Sequence, residues 1–217
     1  MFGICKGGVA AGFLFASSAA VQAMTLTPLY ADCDPLVLDR PFATALHGCG
    51  VTPDRTDVDA VNLGGPDGDF FSLGLADDPT ATRGGVAIFS TDVAFTGTIG
   101  IAEVTNPSNH WEAARVYVGN SLAELEANYL AQLDLGIVDN GKAGTEVAKE
   151  SVSTTGIWTY IMIEDVSREV YGSAADGNST VDGFDLDSLE LSPVPLPGAV
   201  LMLGTALVGM GALRRRR

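Results

Sequence analysis

The chain has 217 residues, 47% of them hydrophobic, and a formal net charge of −15 at pH 7 from 27 acidic and 12 basic side chains. Nucleic-acid binding needs a basic stripe against phosphate, so this balance opposes it. In an exported chain such acidity serves solubility or supplies carboxylates for divalent cations.

The first element is an export signal. Lys6 gives a positive start, 9–20 form an apolar stretch, and Val21-Gln22-Ala23 is a small-x-small cleavage site, so 1–23 reads as a cleavable signal peptide. The exported chain then begins at Met24. Gly12 and the Ser17-Ser18 pair interrupt the apolar run, which is short for a membrane span, so an uncleaved anchor is disfavoured.

Cys5 leaves with that signal, and Cys33 and Cys49 remain as the exported thiols. An even count in an oxidising compartment reads as a disulfide, and closing a loop of about 15 residues contributes roughly 3 kcal/mol. Zinc binding by the two cysteines and His47 is the competing reading, and it lacks the CxxC spacing of such sites. The stretch 24–59 is rich in Pro and Asp and weakly periodic, so the disulfide is what would order it.

Hydrophobic alternation with period two then dominates. Strands are predicted at 70–75, 85–89, 97–104, 114–118 and 157–163, each rich in Val, Ile, Phe, Tyr or Thr and bounded by Gly, Asn, Asp or Pro. The polar stretch 140–149 reads as a loop leading into a further strand at 146–153. One segment departs from this period: Ser121 and Glu124 form a capping box, and Leu122, Leu125, Tyr129 and Leu133 share a helical face before Gly136. The region 24–193 is therefore expected to be one all-β domain, a β-sandwich with one inserted amphipathic helix.

Near its end, Asp182, Asp185 and Asp187 lie in or beside a predicted last strand that Asp67 and Asp69, ahead of the first, could adjoin. Calcium takes six to eight oxygens, so these five aspartates are the candidate calcium ligands. The alternative is that they cap turns and keep edges wet, and the EF-hand pattern is absent. Phe184 and Leu186 follow one parity and Leu189 and Leu191 the other, so both pairs reach the core only if a bulge intervenes near Asp187-Ser188.

The last element is the tail. Leu196 to Leu213 carries no charge, and at ~1.5 Å per residue its 18 residues reach about 27 Å, close to the ~30 Å hydrocarbon core. Arg214, Arg215, Arg216 and Arg217 would stay in the cytoplasm, leaving everything upstream outside. Without Lys6 and these arginines, 24–193 holds seven basic against all 27 acidic residues, a net −20.

Val194-Pro195-Leu196-Pro197, the small-residue apolar stretch and the arginine cluster resemble the VPLPA-CTERM variant of the PEP-CTERM bacterial sorting signal, with Gly198 where that family usually has alanine. The resemblance implies that 194–217 is a C-terminal transmembrane sorting helix handled by an exosortase-type membrane enzyme, in Gram-negative bacteria that make exopolysaccharide. Within the domain, 65–74, 114–118 and 182–191 are similar to segments of galactose-binding-like jelly-roll domains. That likeness implies a jelly-roll-like sandwich.

No HExxH, GxSxG, Walker loop or GxGxxG occurs, and His47 and His110 are the histidines available as neutral-pH bases. Trp111, flanked by Asn106, Asn109 and His110, could stack against a sugar face with Asn109 as a hydrogen-bonding neighbour, or pack beneath a loop. The reading is an exported non-enzymatic protein. It passes through a membrane-anchored intermediate to the cell surface or matrix, with exosortase and extracellular polysaccharide as partners and calcium as the candidate cofactor. A secreted matrix hydrolase and a purely structural adhesion component are the alternatives.

Overall fold

A computed structural model of the chain describes residues 23–31, 57–75, 80–104, 111–140, 147–176 and 183–195. The expected signal peptide up to residue 22, Cys33, His47, Cys49, Asn106, Asn109, His110, Asp182 and the expected sorting tail from Leu196 to Arg217 lie outside them.

Two long strands organise the domain. β4 (Val86–Val104) and β7 (Val147–Asp165) each run 19 residues and pair antiparallel from Val86↔Glu164 to Val104↔Val147. The separate strands expected at 85–89 and 97–104, and at 146–153 and 157–163, are halves of these two. Asp92 and Gly97 bend the chain without ending it: the register shifts between Ser90 and Phe95 and again before Gly97, which sits at φ +80°, a conformation glycine adopts without strain.

On either side of that bend the ribbon has different neighbours. β1 (Leu26–Ala31) flanks the first half of β4, from Leu26↔Thr91 to Ala31↔Ala87. β8 (Asp185–Glu190) flanks the second half and carries β2 (Asn62–Leu63) and β3 (Phe71–Ser72). β5 (Ala113–Gly119) pairs with the C-terminal half of β7, and β6 (Gly136–Asp139) pairs with β5. The described residues are thus mostly strand. Both halves of the ribbon and their neighbours contribute to one core, with Phe89 and Ile161 beside Val116 of β5 on one side and Phe95 and Ile99 beside Leu189 of β8 on the other, as in a β-sandwich.

Alternation explains why the central strands are buried on both faces. Ala87 and Phe89 point into that core, whereas Val86 and Ile88 meet Tyr117, Met162, Leu125 and Tyr129 in a second cluster on the outer face. The last two residues come from α1 (Leu122–Leu130), where the Ser121 hydroxyl accepts the Glu124 N–H at 3.1 Å and the Glu124 carboxylate accepts the Asn120 N–H at 2.8 Å. Leu125 and Tyr129 are buried as the periodicity requires. Leu133 is 62% exposed instead, because the helix stops at Leu130 and Gln132 takes φ +54°. A second, five-residue helix, α2 (Ser167–Tyr171), corrects the expectation of a single inserted helix.

The parity change in β8 is resolved by a bulge. Ala102 pairs with Ser188 and Glu103 with Leu186, which leaves Asp187 as the extra residue. Among the described residues no helix is long and apolar enough to cross a membrane.

Candidate functional site

One end of the sandwich gathers the end of β4, the start of β5, the ends of β6 and β7 and the start of β8. These termini place Glu103, Glu112, Asp165 and Asp185 near one another, at 2%, 3%, 1% and 7% exposure. Burial raises the Glu112 carboxyl well above its ordinary range; the hydrogen bond with Glu103 and the negative charges of Asp185, Glu103 and Asp165 push the same way. Two carboxyls in hydrogen-bond contact need a proton between them, so the Glu103–Glu112 pair shares one.

Asp165 is pushed up to about 7, chiefly by burial. Opposing that shift, its carboxyl accepts the Ser167 O–H at 2.6 Å and the Phe184 N–H at 2.9 Å. Gly183, at φ +69°, lets the chain pass there: a Cβ on it would lie 3.0 Å from an Asp165 oxygen and 2.7 Å from the Gly74 carbonyl carbon. Through Ser167, whose hydroxyl accepts the Ala113 N–H at 3.0 Å, the same carboxyl anchors α2 against β5.

Beside this cluster α2 presents Tyr171 to Trp111. The rings meet edge to face, with centroids 5.5 Å apart and an interplanar angle of 67°. Both side chains are half-buried. Burial raises the Tyr171 hydroxyl to about 12, helped by the charge of Asp139, which also hydrogen-bonds it, and by Glu103 and Glu150. The next residue, Asn140, donates its backbone N–H to the Glu112 carbonyl at 3.1 Å. An aromatic pair with a carboxylate on its rim can take the apolar face of a sugar while hydrogen-bonding its hydroxyls.

A separate network lies on the outer face. Arg83 Nη2 donates to the Tyr117 hydroxyl at 2.7 Å and to Glu164 Oε2 at 2.9 Å, Arg83 Nε lies 2.9 Å from Glu164 Oε1, and the guanidinium sits 4.7 Å from the Tyr129 ring centroid. The Tyr117 hydroxyl donates to Glu164 Oε2 at 3.2 Å. Burial raises the Glu164 carboxyl despite the opposing pull of Arg83 and Arg115. These groups pair with one another and bind α1 to the sheet.

The sequence-derived aspartates divide. Pairing of β2 and β3 with β8 brings Asp67 to Asp187, but the Asp187 carboxylate accepts the backbone N–H groups of Asp67 at 3.2 Å and Gly68 at 2.8 Å. Asp67 in turn accepts the Asp69 N–H at 3.1 Å, in an exposed turn. Asp185 joins the buried cluster instead. Among the described residues no group of three or more His, Cys, Asp or Glu has a metal-holding arrangement. Trp111 stands half-buried against Tyr171, and nothing local in the sequence pointed to Tyr171, Asp139, Glu103 or Glu112; only their fold-imposed proximity marks them.

No protein-family model matches the chain, and no curated protein matches it by sequence. Among solved structures it is similar to one described as CpGH89CBM32-6 produced by Clostridium perfringens, at 7% identity and a TM-score of 0.41, over 81% of this chain and 98% of that one. A second, described as GH31 CBM32-2 bound to GalNAc, matches at 11% identity and a TM-score of 0.37, over 80% and 100%.

Proposed function

We propose that this protein is an exported, non-catalytic jelly-roll-type domain that binds extracellular polysaccharide through the Trp111–Tyr171 end. Its N-terminal signal and exosortase-type tail deliver it to the cell surface or matrix. The observation that carries the binding reading is the half-buried edge-to-face pair of Trp111 and Tyr171 with Asp139 on its rim. The exported protein is expected to be retarded in native gels cast with exopolysaccharide, and Trp111→Ala to abolish the retardation; equal mobility with and without the polymer overturns the reading.

One further observation favours this reading over a hydrolase built on Glu103 and Glu112. Glycosidase carboxyls stand about 5–9.5 Å apart to flank a sugar bond. Glu103 and Glu112 are hydrogen-bonded to each other and almost fully buried, a geometry that leaves no room for one. Calcium binding by the exported domain stays part of the proposal without an assigned ligand set, and a calcium-dependent rise in melting temperature tests it.

A further inference from the structure

The Trp111–Tyr171 end has a sign as well as a shape. The Tyr171 hydroxyl is hydrogen-bonded to Asp139, and the charges of Asp139, Glu103 and Glu150 all act on it in the same direction. An ionised carboxylate only accepts hydrogen bonds and offers about four lone-pair sites, of which the Tyr171 hydroxyl takes one at Asp139. A ligand that meets this carboxylate must therefore donate to it.

Little on the protein offsets that sign. Four basic side chains fall among the described residues, and three of them are engaged with carboxylates: Arg83 with Glu164, Arg115 with Asp134 and Glu169, and Lys149 with Glu190 at 2.8 Å. The fourth, Arg168, is half-buried on α2, one positive charge against Asp139, Glu150, Asp185 and a Glu103–Glu112 pair that shares a proton. The balance at this end stays negative.

The aromatic pair and the carboxylate favour the same ligand charge by different physics. An aromatic face attracts a cation through its ring quadrupole, tryptophan most strongly, and a carboxylate beside it forms a charge-assisted hydrogen bond with the same group. A uronate polymer meets like charge instead and is repelled. We infer that the Trp111–Tyr171 end recognises polysaccharide carrying free amino groups, a hexosamine polymer that has lost part of its N-acetyl groups, with the protonated amine set against Trp111 and Asp139. The inference rests on the polysaccharide reading given above and assigns the charge class of that ligand.

The exported protein is run in native gels cast with a fully N-acetylated hexosamine polymer, the same polymer partly de-N-acetylated, or a polyuronate of matched length. A cation–π contact and an exposed ion pair together correspond to about five- to ten-fold in affinity. Retardation by the de-N-acetylated polymer is thus expected at about a five- to ten-fold lower concentration than by the acetylated one, with none by the polyuronate. Asp139→Asn, which keeps an acceptor for the Tyr171 hydroxyl, is expected to bring the two hexosamine polymers level, whereas Glu126→Gln, which removes one charge on α1, leaves the difference in place. Equal retardation by the two hexosamine polymers, or a preference for polyuronate, overturns the amine assignment and leaves polysaccharide binding standing. Equal effects of Asp139→Asn and Glu126→Gln mean a general attraction to an acidic surface and overturn the assignment as well. If Asp139→Asn fails to fold, competition in the unaltered protein decides: free hexosamine is expected to release the de-N-acetylated polymer at about a five-fold lower concentration than N-acetylhexosamine, and equal competition overturns the inference. Retardation by none of the polymers overturns the polysaccharide reading itself.

Discussion

Asp187 and Gly68, distant in sequence, are joined by a 2.8 Å hydrogen bond from the Gly68 N–H to a carboxylate that a one-residue bulge has pushed out of the β8 ladder. The Asp67 N–H completes the clamp at 3.2 Å. Hydrogen bonds to a charged acceptor contribute about 1.5–3 kcal/mol each. Asp187→Ala is therefore expected to lower unfolding free energy by about 2–4 kcal/mol, and Asp187→Asn, which keeps one acceptor oxygen, by less. Urea denaturation of the two variants checks this; equal losses would mean that the clamp is not what Asp187 supplies.

A pH dependence follows from Asp165. Burial lifts its carboxyl from 3.8 to about 7 in the folded state, so its neutral form favours folding. That contribution is complete below the unfolded-state value and is lost as pH rises through about 7. Glu112, raised mainly by burial, acts with the same sign. Melting temperature is expected to fall between pH 5 and pH 8, with a shallower fall in Asp165→Asn. An unchanged slope in that variant would transfer the effect to other groups.

Arg83 neutralises a buried charge. Removing one partner of a buried ion pair typically costs about 3–5 kcal/mol, because the other is left uncompensated. Arg83 keeps some solvent exposure, so Arg83→Ala is expected near the lower figure, about 3 kcal/mol at pH 7. The loss should shrink on acidification, which neutralises Glu164, and Glu164→Gln added to Arg83→Ala should recover part of it. Thermal melts of the single and double variants at pH 5 and pH 7 measure both effects.

The bend of β4 depends on one backbone conformation. Gly97 sits at φ +80° with open space where a Cβ would go, so Gly97→Ala meets strain without a clash. A loss of about 1–2 kcal/mol is expected, with the fold retained. Urea denaturation and near-UV circular dichroism distinguish that outcome from wholesale rearrangement.

Legibility in the sequence tracked the range of the interactions involved. The helix at Ser121 was readable because its cap and its buried face, Leu125 and Tyr129, are local. The bulge at Asp187 was readable because parity along β8 has to switch between Leu186 and Leu189. Continuity of β4 and β7 was not, since Asp92 and Gly97 look like punctuation until a partner strand with a matching break is known. The partnership of Trp111 with Tyr171, and the burial of Glu103 with Glu112, were equally hidden. In a chain this acidic nothing local separates an interior carboxylate from a solvated one.

The pairing of β4 with β7 also bears on timing. Its ladder joins Val86 to Glu164 and Val104 to Val147, so the central ribbon cannot form until most of the domain has emerged and met itself. Chains dominated by such distant pairings refold in about milliseconds to seconds rather than microseconds. Stopped-flow refolding in that range is the expectation. A sluggish folder of this kind would stay threadable during the export proposed above, and would close only after passage.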